Sequence, residues 1–312
     1  MHGVLARVVR SGFVEGIHYG TAVALAADGE VLLTCGDPAE PIFARSSMKP
    51  LQVAAMLHAG LDLDGPLLAL AAASHSGEPY HLDGVWRILS SVGLTADQLG
   101  NVADLPLGPD ERLRWRMAGR PPVPLAMNCS GKHAAMLATC RANDWAVAQY
   151  LDPEHPLQRA ILRTVQVLAG EPVTAVGVDG CGAPLLAISP IGLARAFGRI
   201  AAAPAGSAEA RVADAIRRHP EWLGGTGRDV TALVRAVPGL IAKDGAEGVY
   251  AAALPDGRAA ALKVSDGGER ARPVVLAALL RRLGVSGELL AQFADTQLSG
   301  GGRPVGQVEA AL

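Results

Sequence analysis

The chain has 312 residues, of which 50% are hydrophobic and 19% are charged, so it is long enough to bury a sizeable core. Its 28 Lys and Arg nearly balance its 30 Asp and Glu, which argues against a nucleic-acid-binding surface and a polybasic membrane-binding patch. No apolar run approaches the roughly 18 residues of a membrane-spanning helix, and the first residues do not resemble a secretory signal. With four cysteines, the composition predicts a cytoplasmic globular protein with reduced thiols.

Strand patterns dominate the first 35 residues. Residues 5–10 and 21–27 have the composition of strands, and Asp28-Gly29 predicts a hairpin turn into a third strand at residues 31–35. Helices are predicted next, at residues 49–60, 67–73 and 82–92.

The middle of the chain is mainly helical in pattern. Residues 105–124, which contain several Pro and Arg, predict an exposed connection or a partial helix. One segment rich in Val and Thr, residues 173–178, predicts a strand. The remaining helices of this region are predicted at residues 131–143, 156–169, 192–202, 208–219 and 228–237.

Strand patterns return near the C-terminus. Residues 248–254 and 258–264 flank the turn sequence Pro-Asp-Gly, a helix is predicted at residues 272–283, and the Gly-rich tail after Ser299 is expected to be frayed. Strands therefore open and close the chain around a helical middle. The economical fold is α/β (α+β), with an antiparallel sheet from the N- and C-terminal strands packed with helices plus a helical region. We expect residues 1–312 to form a single domain.

Ser46 and Lys49 form the first motif that could carry chemistry, within the segment RSSMKP at residues 45–50. A serine hydroxyl becomes a nucleophile when a base takes its proton, and a lysine three residues further on lies on the same helix face. The same spacing also fits a helix-capping serine beside a solvated lysine. The motif alone therefore does not specify a function.

Two other short motifs supply a second serine and a second lysine, one in each motif. Residues 74–78 (SHSGE) place Ser76 beside a histidine at the end of a short apolar helix, where a capped turn is the alternative interpretation. Residues 242–248 (AKDGAEG) place Lys243 on a predicted edge strand, where Gly245 would let another backbone or a substrate approach closely. Taken singly, Lys243 also fits a solvated lysine in a turn.

Cys129 and Cys181 lie in the segments NCSGKH and VDGCGAP, at junctions between loops and regular elements where site residues collect. Two thiolates can bind zinc, but without a C-x-x-C motif or a histidine pair the set is incomplete. Lys132 could supply a third ligand, and buried free thiols are the alternative. Cys35 and Cys140 are predicted to belong to the core.

The order of these motifs resembles that of serine β-lactamases and penicillin-binding proteins. The full set, with residues 14–20 (VEGIHYG), resembles more specifically the bacterial L-asparaginase II family of the Rhizobium etli type. The matching blocks run from about residue 14 to residue 265, which is nearly the whole chain.

The resemblance implies a serine β-lactamase-like fold and a hydrolase of linear amides that converts L-asparagine to L-aspartate and ammonia. It implies catalytic roles for two Ser–Lys pairs, Ser46 with Lys49 and Ser76 with Lys243. It also implies three substrate-binding positions: Asp179 for the α-ammonium group, and Arg45 or His133 for the carboxylate.

The resemblance further implies that Cys129, Lys132 and Cys181 bind zinc, which would aid substrate binding without being the catalyst. No organic cofactor is implied. The chain departs from the family at residues 227–230, where many members carry Arg-Phe-Cys-Thr and this sequence reads Gly-Arg-Asp-Val. A cysteine near the pocket is thereby absent, and Asp229 is expected to alter the local shape.

Two other functions fit the motifs. One is a related Ser–Lys amidohydrolase, such as a glutaminase or a β-lactamase-like enzyme. The other is a non-catalytic zinc-binding or amino-acid-binding protein. The expected partner is a small molecule, L-asparagine, with no nucleic acid and no membrane, and the apolar, weakly charged composition favours a homodimer.

Overall fold

The computed structural model describes residues 2–312. Its strands, β1 to β11 in chain order, are Gly3–Arg10, Phe13–Leu25, Val31–Cys35, Ile42–Phe43, Ala175–Val178, Pro184–Ile188, Ile241–Gly245, Val249–Ala253, Ala259–Val264, Asp295–Gly300 and Arg303–Ala310. Its α-helices, α1 to α11, are Lys49–His58, Gly65–Ala71, Pro79–Ser91, Pro109–Met117, Ser130–Ala142, Pro156–Ala169, Pro190–Ala201, Ala208–Arg218, Pro220–Leu223, Asp229–Ala236 and Arg272–Arg282. Across these residues, no helix combines the length and the apolarity needed to cross a bilayer.

The main sheet of the described chain is antiparallel and has eight strands. Seven follow the order β10-β11-β1-β2-β9-β8-β7, and β3 pairs with β2. The N-terminal strands β1 and β2 thus lie between the C-terminal strands β11 and β9, which confirms the predicted mixed fold with a sheet built from both ends of the chain. A smaller sheet has the order β4-β6-β5, and its short strand β4 and strand β6 were not predicted.

The expectation of a frayed C-terminal tail is wrong. Strands β10 and β11 form a hairpin, and β11 pairs with β1 so that Val308 lies opposite Val8 and is fully buried. Gly301 and Gly302 form the turn with φ values of 56° and 77°. Two consecutive left-handed residues are what a tight two-residue hairpin requires, and glycine adopts them without strain. The glycines that suggested fraying are therefore turn residues.

Most predicted elements lie close to the observed ones. Helix α6 begins and ends where its pattern predicts, since Pro156 occupies the first turn and Gly170 the left-handed position after the last turn. The Asp28-Gly29 turn joins β2 to β3 as expected, although β2 begins at Phe13, well before the predicted start. The uncertain segment 105–124 contains α4.

The candidate site lies where three elements meet: the edge strand β7, the 3-10 turn Arg45–Met48 that leads into α1, and the start of α5. A Cβ atom at Gly245 in β7 would lie 2.9 Å from the carbonyl oxygen of Ala44, so the close backbone approach predicted at this glycine is confirmed. A Cβ at Gly131 in α5 would lie 2.5 Å from the carbonyl oxygen of Leu70. Gly245 thus lets β7 approach the 3-10 turn, and Gly131 lets α5 pack closely against α2.

Candidate active site

Three buried lysines define the site. Lys49 at the start of α1, Lys132 in the first turn of α5 and Lys243 in β7 are 1%, 2% and 0% exposed. Lysines are almost never fully buried unless they are paired. The partners of these three ammonium groups therefore determine the chemistry of the site.

Lys49 is surrounded by hydrogen-bond acceptors. Its Nζ donates to the hydroxyl of Ser74 at 3.0 Å, to the thiol of Cys129 at 3.1 Å and to the carbonyl oxygen of Ala73. Three acceptors match the three protons of an ammonium group. Ser74 is therefore hydrogen-bonded to Lys49, a role that the sequence did not predict for it.

Ser46 lies one turn before Lys49 and is half-buried. Its hydroxyl forms no hydrogen bond with any residue in 2–312, and the predicted contact with Lys49 is not among the hydrogen bonds of that range. The preceding residue, Arg45, has φ 51°, a conformation that non-glycine residues rarely adopt. The strained turn that presents Ser46 is held by the Arg45 side chain, whose Nε lies 2.9 Å from Asp179 and whose Nη1 lies 3.7 Å from Glu247.

Ser76 has different surroundings from those expected. It is 2% exposed, and its hydroxyl donates to the carbonyl oxygen of Gly224 at 3.0 Å. Within residues 2–312 no hydrogen bond joins it to Lys243. The pairing of Ser76 with Lys243 stays a prediction, whereas the structure brings Ser74 to a buried lysine.

Lys243 is paired with the neighbouring carboxylate. Its Nζ donates to Oδ1 of Asp244 at 2.5 Å and to the Asp244 carbonyl oxygen at 2.7 Å. Burial lowers the pKa of Lys243 to about 8, with Lys49 acting in the same direction and Asp244 opposing it. Lys243 can therefore lose its proton close to neutral pH.

Asp244 is shared among several cations. Its Oδ2 accepts a hydrogen bond from Arg228 at 2.6 Å and lies 4.0 Å from Arg272. Burial opposes its charge, but Lys243, Arg228 and Arg272 hold the pKa of Asp244 well below the usual range. The carboxylate is therefore ionised and compensates a group of buried or half-buried cations.

Asp229 lies beside this group, with Oδ2 3.5 Å from Arg272. Burial and the negative charge of Asp244 raise the pKa of Asp229. This residue lies in the segment that departs from the family pattern, and it places a second carboxyl group next to the charge cluster.

His133 and Asp179 are both close to the lysines. Burial lowers the pKa of His133 to about 4, and its Nδ1 lies 2.7 Å from the hydroxyl of Tyr150. Burial opposes the charge of Asp179, but Lys132 and Arg45 lower its pKa. At neutral pH His133 is thus uncharged, whereas Asp179 is an anion already engaged by Arg45.

The two predicted zinc-binding thiols meet beside Lys132. Cys181 Sγ lies 3.1 Å from Lys132 Nζ. The interaction with the Cys181 thiol lowers the pKa of Cys129, and the charges of Lys49 and Lys132 lower it further. The same thiol–thiol interaction and burial raise the pKa of Cys181. The Nε2 atom of His133 is buried without a hydrogen-bond partner.

This donor set suits a borderline cation such as zinc, because two thiols and an amine converge next to an unsatisfied imidazole nitrogen. In residues 2–312 no three His, Cys, Asp or Glu side chains are grouped as a metal site. A metal here would therefore need the amine of Lys132 as its third donor.

A cavity of about 540 Å³ opens beside Ser46 and Ser74. Charged residues form its opposite wall, and its lining includes Asn128, Arg228, Asp229, Asp244, Ala246, Glu269, Arg270, Arg272 and Thr296. Ser46 and Ser74 both line it, whereas Ser76 does not. A second cavity of about 510 Å³, between the Asp28-Gly29 turn and α7, has none of these residues in its lining.

Sequence reasoning missed Ser74, Asp244 and Arg228. Ser74 and Ser76 flank His75, and their spacing does not indicate which one reaches a lysine. That is decided by where Leu223, Asn128 and Gly224 hold the backbone of residues 74–76. For Asp244 there was a signal, a carboxylate directly after a lysine on a predicted edge strand.

The family model described as L-asparaginase II matches residues 6–310. No curated relative matches the sequence.

Among solved structures, the chain is similar to the crystal structure of Mglu in its native form, with 14% identity, 84% of this chain and 62% of that chain covered, and a TM-score of 0.45. It therefore spans less than two thirds of Mglu. It is also similar to a β-lactamase, Mb2281c from Mycobacterium bovis, with 16% identity, coverage of 88% and 94%, and a TM-score of 0.45.

We expect Asp244→Asn to lower the free energy of unfolding by about 3 to 5 kcal/mol, because it leaves Lys243, Arg228 and Arg272 without their shared anion. Urea denaturation at neutral pH would measure this. The matched control is Asp256→Asn, which removes a half-exposed partner of Arg258 and should cost less than about 1 kcal/mol. Equal small losses for both variants would contradict the role given to Asp244.

Proposed function

This chain belongs to the L-asparaginase II family, and we propose that it hydrolyses the side-chain amide of L-asparagine to L-aspartate and ammonia. Family membership supports an amidohydrolase. The observation that carries the proposal is that Ser46, with an unbonded hydroxyl, and Ser74, bonded to buried Lys49, line the same cavity.

In the proposed reaction Ser46 is the nucleophile. Its oxygen bonds to the amide carbon while its proton passes to Lys49 in the unprotonated form of that amine, with Ser74 extending the reach of the lysine into the cavity. The carbon–nitrogen bond then breaks, the proton is delivered to the leaving nitrogen, and ammonia departs. This leaves a β-aspartyl ester on Ser46, which a water molecule cleaves to release L-aspartate.

Backbone N–H groups would stabilise the oxyanion. The candidates are the N–H of Ser46, at the start of its 3-10 turn, and one from β7 beside Gly245, which approaches the same turn closely. Each donor of this kind is typically worth about 3 kcal/mol in the transition state. The close approach at Gly245 supports this arrangement.

Lys243 would handle protons in the second half of the reaction. It is fully buried and interacts with Lys49 as a like charge. Because its pKa is about 8, it can be neutral when water must be deprotonated for ester cleavage. Asp244 positions its amine through two hydrogen bonds.

We propose that zinc, when bound, is held by Cys129, Lys132 and Cys181. It would supply a positive charge that helps to fix the polar groups of the substrate. The ligands would be the two thiols and the amine, and the Nε2 atom of His133 would help to orient them.

A related amidohydrolase acting on L-glutamine is the second candidate. The cavity volume of about 540 Å³ is within the range of small-molecule pockets and leaves room for the additional methylene of L-glutamine. Comparing ammonia release from L-asparagine and L-glutamine would decide between the two.

The decisive measurement is ammonia release from L-asparagine by the parent protein and its serine and lysine variants. We expect Ser46→Ala to lose roughly 1,000-fold or more in kcat, as when a covalent nucleophile is removed. Lys49→Ala should lose at least about 100-fold. A parent protein without activity at millimolar L-asparagine would refute the proposal, and near-normal turnover by Ser46→Ala would refute the choice of nucleophile.

The same assay distinguishes the two serines of the SHSGE segment. Ser74→Ala should lose about 100-fold in kcat because it breaks the contact with Lys49, whereas Ser76→Ala should lose much less. The reverse order would restore Ser76 to the role that the family resemblance implied.

The pH profile tests the role of Lys243. We expect kcat, which includes the ester-cleavage step, to rise with pH through about 8 as Lys243 loses its proton. In Asp244→Asn the rise should move to lower pH, because the carboxylate that raises the Lys243 pKa is gone. If the rate of Asp244→Asn rises at the same pH as that of the parent protein, or at a higher pH, the assignment to Lys243 is wrong. The control variant Asp256→Asn should leave the pH profile unchanged.

Zinc binding can be tested without turnover. After dialysis against zinc, the parent protein should retain about one zinc per chain by elemental analysis. Cys129→Ser and Cys181→Ser should each lose it, whereas Cys35→Ser, in β3, should not. Zinc retained by both of the first two variants would exclude these thiols as ligands.

A further inference from the structure

We propose that Arg270 is a specificity-determining residue that binds the carboxylate of the amide substrate. The inference rests on the proposed function. It is carried by the charge pairing around the cavity, which leaves one guanidinium without an anionic partner.

The other arginines that line the cavity are neutralised by carboxylates. Arg228 pairs with Asp244 at 2.6 Å, and Arg272 lies 3.5 Å from Asp229 and 3.9 Å from Glu269. Arg272 also donates to the carbonyl oxygen of Gly245. These side chains are committed to holding the wall of the cavity together, and their charges are compensated.

Arg270 differs from both. It forms no salt bridge within residues 2–312, and its Nε donates to Nε2 of His18 at 2.9 Å. Because an Arg N–H can only donate, His18 Nε2 is the acceptor of this bond. The Arg270 side chain is exposed and has no carboxylate partner within residues 2–312, so its two terminal NH₂ groups are available to a ligand.

Arg270 is also held in position at two points. His18 accepts a hydrogen bond from its guanidinium, and the Arg270 carbonyl oxygen accepts one from Thr296 at 3.3 Å. His18 is only 6% exposed, so the imidazole that contacts Arg270 is itself fixed by packing. An oriented guanidinium suits bidentate binding of a planar carboxylate.

The same cavity contains Arg270, Ser46 and Ser74. A substrate with its carboxylate at Arg270 thus shares one enclosure with the proposed nucleophile. The two candidates suggested by the family resemblance are less available for this task. Arg45 is paired with Asp179, and His133 is fully buried and hydrogen-bonded to Tyr150.

The test compares a substrate that has the carboxylate with one that lacks it. Ammonia release is measured from L-asparagine and from its α-methylamide, in which a neutral amide replaces the carboxylate. For Arg270→Ala we expect KM for L-asparagine to rise about 10- to 100-fold with little change in kcat, and kcat/KM for the α-methylamide to change by less than about 2-fold. Arg270→Lys should lie between the parent and Arg270→Ala for L-asparagine.

The matched control is Arg282→Ala, at the exposed end of α11, which should leave both substrates unaffected. Equal losses for the two substrates in Arg270→Ala, or no loss for either, would overturn the inference while leaving the proposed function intact.

Calorimetric titration with L-aspartate separates the two proposals. If the parent protein binds L-aspartate and Arg270→Ala weakens binding about 10-fold or more, the carboxylate subsite stands even where no hydrolysis is detected. Undiminished binding in Arg270→Ala would refute the subsite. A parent protein that neither binds L-aspartate nor releases ammonia would refute both proposals.

Discussion

The burial of three lysine ammonium groups within one region is the constraint on which the site depends. Each charge must be balanced locally, because an unpaired ion in the interior costs several kcal/mol. The protein meets the requirement with different partners: oxygen and sulfur acceptors around Lys49, thiols beside Lys132 and a carboxylate next to Lys243. The edge strand, the 3-10 turn and α5 must therefore lie close together. Gly245 permits the approach of β7 to the turn, and Gly131 permits α5 to pack closely against α2.

Because the partners differ, the three lysines are suited to different tasks. Lys49 reaches a serine hydroxyl that lines the cavity, so it can exchange a proton with groups bound there. Lys243 interacts with an anion that is itself held by two arginines, and its proton affinity is set by that cluster. For Lys132, burial is outweighed by Cys181, Cys129 and Asp179, which raise its pKa. That lysine therefore contributes a fixed positive charge.

Local chemistry was largely predictable from the sequence, and long-range placement was not. The Asp28-Gly29 turn and helix α6 follow from patterns that short segments carry. The proximity of Lys49 and Cys129 was predicted only by the resemblance of the full set of motifs to a family. The choice between Ser74 and Ser76 depends on backbone contacts with segments some 50 and 150 residues away, which no local pattern reveals. The Gly-rich tail was misjudged because glycines serve tight turns as well as flexible ends.

That misjudged hairpin also contributes to the site. Strand β11 completes the sheet beside β1, and this fixes β10, whose Thr296 lines the cavity and donates to the carbonyl oxygen of Arg270. His18, which orients the same arginine, lies in β2 opposite Ala6 of β1. The packing that closes the sheet is thus the packing that aims the uncompensated guanidinium. Loss of the C-terminal hairpin would therefore disturb Arg270 before it disturbed the serines and lysines, because these lie in the 3-10 turn, in residues 74–76 and in α1, α5 and β7, none of which pairs with β10 or β11.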